Sequence, residues 1–174
     1  SSNNFPVTAG AFDQSFNGGQ TLSFQFNGTT FNTGTDIFVA RLNAGGTSLL
    51  ASTYVGGAGN DGVNYNNYLP PTYTVFPCFA PGGFVLFNES PADSLQYNYG
   101  DQYRGEIQLD KNGDVYVASS TRSSNFPTAN AFQNNLSGKQ DAVVFKLNPS
   151  LNTLMWSSYL GGGGNDAGYS LIVD

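Results

Sequence analysis

Two glycine-rich stretches carry the residue types closest to a metal-binding signature. Gly56-Gly57-Ala58-Gly59-Asn60-Asp61-Gly62-Val63 fits the calcium-binding nonapeptide pattern G-G-x-G-x-D-x-U. Gly161-Gly162-Gly163-Gly164-Asn165-Asp166 fits it as far as its aspartate, after which Gly168 stands in the apolar position. In a calcium roll the ligands come from consecutive turns, so copies must recur about every nine residues. Asp61 and Asp166 are 105 positions apart. A single loop of this kind seldom supplies the roughly 6–8 oxygens that a hard cation needs. The expected reading is a glycine-rich connection whose Asn and Asp side chains bond nearby backbone amides, with no metal at Asp61 or Asp166.

Other acidic residues invite the same scrutiny. Asp110-Lys111-Asn112-Gly113-Asp114 has the composition of an EF-hand start, but that loop needs Gly sixth and a bidentate acid twelfth. Here Gly113 is fourth and Thr121 twelfth, so a hairpin turn is expected. Glu89, Asp93 and Asp101 could form the carboxylate pair of a glycoside hydrolase if distant loops met. Twelve acids scattered along an acidic chain are more often a solvated surface. The chain has no His, so its many Ser residues have no triad base and the commonest zinc ligand is missing. Cys78 is the single cysteine, which excludes an internal disulfide; it reads as a small apolar residue. No catalytic residue, cofactor or metal ligand is assigned.

Composition narrows the class further. Only 10% of residues are charged, while Tyr and Phe number 10 and 14 and Gly 22. That aromatic content separates the chain from disordered sequences of equally low charge. Aromatic, Val and Thr residues punctuated by Gly and Asn favour many short strands with tight turns. The net charge is −6, and the six cations, Arg41, Arg104, Lys111, Arg122, Lys139 and Lys146, are scattered. Phosphate recognition needs them clustered, so neither nucleic acid nor an anionic membrane surface is an expected partner. No run approaches the roughly 18 apolar residues that span a bilayer.

The elements that must position these residues come from an internal echo. Asp36-Ile37-Phe38-Val39-Ala40-Arg41-Leu42-Asn43 corresponds to Asp141-Ala142-Val143-Val144-Phe145-Lys146-Leu147-Asn148, again 105 positions on. Phe5-Pro6-Val7-Thr8-Ala9-Gly10-Ala11-Phe12 echoes Phe126-Pro127-Thr128-Ala129-Asn130-Ala131-Phe132. Ile107-Gln108-Leu109-Asp110 and Leu171-Ile172-Val173-Asp174 lie 64 apart, which sets a unit of about sixty residues. The longer spacing is then one unit plus an insertion over about 62–103, with a smaller insertion over about 19–34. Both chain ends read as cuts, because Ser1 starts in loop-like sequence and Asp174 follows a strand-like run.

Four strands are expected in the complete unit. Residues 106–110 alternate apolar Ile107 and Leu109 with polar neighbours. Asn112-Gly113 then turns the chain into a strand over 115–119. A polar loop leads to a third strand over 142–147, and Asn148-Pro149-Ser150-Leu151-Asn152 turns into a fourth over 153–160. The run Ala142-Val143-Val144-Phe145 is apolar on both sides, so it should be covered on both sides. Blades of a β-propeller meet that condition, since each four-stranded sheet stacks on its neighbours.

The blocks Ile107-x-Leu109-Asp110-x-x-Gly113-Asp114-Val115-Tyr116-Val117, Ser124-Asn125-Phe126-Pro127-Thr128, Gln140-Asp141-Ala142-Val143-Val144-Phe145-Lys146-Leu147-Asn148-Pro149 and Ser157-Ser158-Tyr159-Leu160-Gly161-Gly162-Gly163-Gly164-Asn165-Asp166 together resemble the bacterial SBBP repeat, a predicted β-propeller unit. The resemblance covers about 106–166 well and 5–61 with the smaller insertion. The run Tyr97-Asn98-Tyr99-Gly100-Asp101-Gln102-Tyr103-Arg104-Gly105-Glu106 is similar to segments of large Bacteroidota surface proteins. Those often carry gliding-motility sorting domains and leave the cell by type IX secretion, which implies an extracellular or cell-surface location.

The chain is accordingly expected to be all-β, a propeller fragment of four-stranded antiparallel blades with an irregular aromatic-rich insertion. Its divisions are a partial blade (1–61), the insertion (62–104), a complete blade (105–161) and the start of the next (162–174). In the insertion, Tyr65, Tyr68, Tyr73, Phe76, Phe79, Phe84, Phe87, Tyr97, Tyr99 and Tyr103 either pack as a lid or line a sugar- or protein-binding surface. The expected function is a non-catalytic surface scaffold or adhesion module within a larger secreted repeat protein. The alternative is an exported carbohydrate-binding or carbohydrate-active protein using that insertion. Expected partners are further blades of the same polypeptide or a covering partner chain, with secretion machinery or a surface glycan beyond them.

Overall fold

The computed structural model describes residues 3–24, 29–64, 74–75, 85–86 and 103–174. The architecture is all-β and antiparallel, with no α-helix among the described residues. Strands β1 (Leu22–Phe24) and β2 (Thr29–Phe31) pair within the smaller insertion. Strands β3 (Ile37–Leu42) and β4 (Leu49–Val55) form a second hairpin. In the larger insertion, β5 (Thr74–Val75) and β6 (Val85–Leu86) make a two-residue ladder, so that segment is not wholly irregular.

The complete sheet holds β7 (Glu106–Leu109), β8 (Val115–Thr121), β9 (Asp141–Leu147) and β10 (Leu154–Leu160), side by side in chain order. The two tight turns of this meander, β7–β8 and β9–β10, are built from local sequence. At the β7–β8 turn the Asp110 carboxylate accepts from the amides of Asn112 (2.8 Å) and Asp114 (3.0 Å), while Gly113 takes φ 81°. Few side chains tolerate that backbone, which is why glycine stands there. Lys146 on β9 clamps the same turn through Asp114 (2.7 Å) and lies 4.8 Å from the Tyr116 ring centroid.

The hairpins β3–β4 and β9–β10 are built alike at the 105-residue offset. Leu42 pairs Leu49 and Arg41 pairs Ala51, leaving Leu50 as a bulge; Leu147 pairs Leu154 and Lys146 pairs Trp156, leaving Met155 in the same place. In one loop the Asn43 side chain accepts from the amides of Thr47 and Ser48; in the other, Asn148 accepts from Asn152 and Thr153. Gly46 takes φ 67° and its counterpart Leu151 φ 55°. A leucine holds this unfavourable backbone because its side chain is fully buried in the core.

One apolar cluster joins the first hairpin to the four-stranded sheet. Val39, Ala51 and Val55 pack with Val115, Val117, Val143, Phe145, Leu147, Leu151 and Tyr159. Directly paired residues lie on one face of a sheet, so Val117, Phe145 and Ser157 face the same way. Ile107 pairs Val117 and Leu109 pairs Val115, which puts them on that face too. They remain 56% and 65% exposed, because a two-stranded hairpin is too narrow to cover a four-stranded sheet.

The run 169–174, expected to open another strand, forms none. Side chains of β7 meet it instead of a backbone ladder: Gln108 Nε2 donates to Leu171 O (2.6 Å), and Leu171 N donates to Glu106 Oε2 (3.0 Å). The described residues include no helix long and apolar enough to cross a membrane.

Candidate functional site

The narrow hairpin leaves a cleft of about 350 Å3 against the four-stranded sheet. Its apolar walls include Phe31, Phe38, Val39, Tyr103, Ile107 and Val117, and three acidic residues, Asp36, Asp61 and Glu106, also border it. Apolar walls around convergent carboxylates are the usual start of a site hypothesis.

Asp36 directly precedes β3 and is positioned by the loop before it. Its Oδ2 accepts from Asn17 N (2.6 Å) and its Oδ1 from Gly18 N (3.2 Å). Asp141 repeats this arrangement at the start of β9, accepting from Ser137 N (2.9 Å) and Gly138 N (3.1 Å). Burial is the main influence on Asp36 and raises its pKa to about 6, against the lowering effect of the two amides.

Asp61 ends the first glycine-rich loop and has no exposed surface. Its carboxylate takes the Gly57 amide (2.8 Å) and the Ser123 hydroxyl (2.8 Å) on Oδ2, and the Thr121 hydroxyl on Oδ1. Burial pushes its pKa up to about 7, opposed by the donors from Thr121, Gly57 and Ser123, with the nearby Asp36 charge adding to the rise. Gly56 separates the two carboxylates: a Cβ there would stand 2.8 Å from Asp36 Oδ1 and 2.9 Å from Asp61 Oδ2.

Around Asp61 the first glycine-rich loop meets the end of β8 through a set of bonds. Gly62 N donates to Ser120 O, Arg122 N to Asn60 O, Ala58 N to Asn125 Oδ1 and Gly59 N to Ser123 Oγ. Close approach explains the glycines: a Cβ on Gly57 would come within 2.7 Å of Ser123 Cβ, and one on Gly59 within 2.7 Å of Arg122 O. Tyr159 ties the same segment from β10, donating to Ser123 O (2.6 Å) and accepting from Phe126 N (2.9 Å). In the first hairpin, Tyr54 accepts from Phe5 N in the corresponding place (3.0 Å).

This chemistry is that of a clamp. Every group bonded to the Asp61 carboxylate is an N–H or O–H donor, and a cation would have to displace them. Among the described residues, no three His, Cys, Asp or Glu side chains converge. As a general acid, Asp61 is poorly placed, because its oxygens are bonded to two hydroxyls and an amide and the residue has no exposed surface.

The residues singled out in the sequence fall as follows. Asp61 and Asp166 both accept from the second glycine of their own loop, Gly57 and Gly162 (2.9 Å), the local amide bonding that was expected. Asp110 to Asp114 is a hairpin turn. Of the aromatic residues in the insertion, Tyr103 is described; it is exposed and edge-on to Phe31 at 6.3 Å. The other nine, with Glu89, Asp93, Asp101 and Cys78, lie outside the described residues. Asp36, Thr121 and Ser123 were missed as functional partners. The signal for Asp36 was its echo at Asp141, while Thr121 and Ser123 had none beyond their nearness to Phe126-Pro127.

No family model, curated protein or solved structure matches this chain.

Proposed function

We propose that this chain is a non-catalytic scaffold or adhesion module of an exported bacterial surface protein, built from propeller-like blades that stack face to face. The observation carrying this reading is the Asp61 clamp, in which the loop leaving one hairpin is bonded to the end of β8 in the next sheet. The Asp61 carboxylate thus holds two units together, its oxygens taken up by Thr121, Ser123 and Gly57. The bare Ile107 and Leu109 support the same reading, since two further strands beside β3 would cover them. The extracellular location and the adhesive role rest on the resemblance to SBBP repeats and Bacteroidota surface proteins, with type IX secretion as the export route.

The test has two parts. Proteinase applied to intact cells of the native bacterium should remove the protein, and a broad glycosidase screen of the purified chain should show no turnover. Hydrolysis that disappears in Asp36→Asn or Asp61→Asn would replace the scaffold with the carbohydrate-active alternative. Full protection from external proteinase would remove the surface assignment.

A further inference from the structure

The second glycine-rich loop repeats the first in its own geometry but lacks the first loop's partner. Gly162 N donates to Asp166 Oδ2 as Gly57 N does to Asp61, and Asp166 N donates to Gln140 O as Asp61 N does to Thr35 O, both at 2.8 Å. The loop is therefore already shaped. Asp61 is fully buried under Thr121 and Ser123, whereas Asp166 is half-buried and receives no hydroxyl among the described residues. Likewise the N–H groups of Gly163 and Gly164 meet no acceptor there, although their counterparts Ala58 and Gly59 bond Asn125 and Ser123.

The glycines themselves supply a second, independent observation. Gly57 and Gly59 have no room for a side chain. Gly162, Gly163 and Gly164 would meet nothing within 4 Å and do not adopt the left-handed backbone. Neither space nor φ requires glycine at these three positions within this chain. A closely approaching backbone would require it at Gly162 and Gly164, as it does at their counterparts Gly57 and Gly59.

We propose that the 161–166 loop is a docking surface for the strand end of a further unit of this same pattern, carrying Thr-x-Ser-Ser-Asn as in residues 121–125. The Thr and first Ser hydroxyls would close on the Asp166 carboxylate, the same Ser oxygen would accept from Gly164 N, and the Asn carbonyl from Gly163 N. The Ser-x-Asn part of such an element is not confined to 123–125: Ser2-Asn3-Asn4-Phe5-Pro6 matches Ser123-Ser124-Asn125-Phe126-Pro127 in residue character. This inference rests on the stacked-unit reading and adds the recognition chemistry of the junction.

The test uses the full chain and a fluorescein-labelled synthetic peptide with the sequence of residues 115–127, read by fluorescence anisotropy. Saturable binding is expected, weakened about tenfold or more by Asp166→Ala and by replacing the peptide's Thr and first Ser with Val and Ala. Gly162→Val should abolish binding while leaving the melting temperature unchanged, since its side chain would enter open space; unchanged melting separates lost docking from misfolding. No saturable binding at millimolar peptide, or binding indifferent to Asp166→Ala and Gly162→Val, would overturn the proposal. So would concentration-dependent self-association that Gly162→Val abolishes and the peptide does not compete, because the occupant would then be a second copy of the chain. Failure here would leave the proteinase and glycosidase outcomes untouched, so the two readings fail separately.

Discussion

Asp61 and Thr121 face each other in an isolated antiparallel bridge, and the Thr121 hydroxyl donates to the Asp61 carboxylate. Sixty positions separate them in the chain. The junction between the hairpin and the sheet has this buried pair at its centre, and the strongest expectations for the molecule follow from it.

Removing the Asp61 acceptor strands three donors in a buried place. Asp61→Ala should destabilise the fold by about 3 kcal/mol, because unsatisfied buried groups cost more than a net hydrogen bond gains. Asp61→Asn, which keeps one carbonyl acceptor, should cost about 1 kcal/mol. Urea titration followed by fluorescence of Trp156, the single tryptophan, measures both. Equal costs for the two variants would show that the carboxylate is not satisfied as described.

Stability should fall as pH rises through the neutral range. Asp36 and Asp61 have folded-state pKa values raised from 3.8 to about 6 and about 7. Between about pH 4 and 7 the folded chain then holds more protons than the unfolded chain, so ionisation favours unfolding. Their contribution is complete below about pH 4 and lost once pH passes about 7. Glu106 shifts the opposite way, held low first by Ser170 and then by Gln108 and Leu171, so its contribution is fully present above about pH 4.5 and is lost only at more acidic pH. The melting temperature should be lower at pH 8 than at pH 5, and Asp61→Asn should flatten the difference. A rise from pH 5 to pH 8 in the parent chain would show Asp61 to be ionised throughout.

Two glycines in equivalent loop positions should respond differently to the same substitution. Gly57→Ala would place its Cβ 2.6 Å from Asn125 Oδ1 and 2.7 Å from Ser123 Cβ, costing about 1–3 kcal/mol. Gly162→Ala meets nothing and should stay within about 0.5 kcal/mol of the parent. Paired thermal melts decide this, and similar losses at both would contradict the separation between engaged and open loops.

Leu151 sets backbone strain against burial. Leu151→Gly would relieve a φ of 55° yet empty a fully buried position in the core. Relief is worth about 1–2 kcal/mol and a lost core leucine about 2–5, so a net loss of roughly 2 kcal/mol is expected in urea titrations. A stabilised variant would mean that the side chain contributes little packing.

The strands and turns of this protein are legible in its residues because they depend on near neighbours. Alternation around Ile107 and Leu109, the Asn112-Gly113 turn and the matched Asn43 and Asn148 loops each act over a few positions. The echo at 105 residues even carries the bulges at Leu50 and Met155, which need only local backbone geometry. The tertiary structure alone decided which distant segments meet. Thr121 and Ser123 are ordinary polar residues until the fold brings them onto Asp61, and Asp36 joins that carboxylate only because Gly56 leaves room between them. Ile107 and Leu109 read as core and remain bare, since burial depends on the width of the opposing hairpin, which no local pattern records. Leu171 to Val173 reads as a strand and is none, because a strand exists only where another backbone pairs with it.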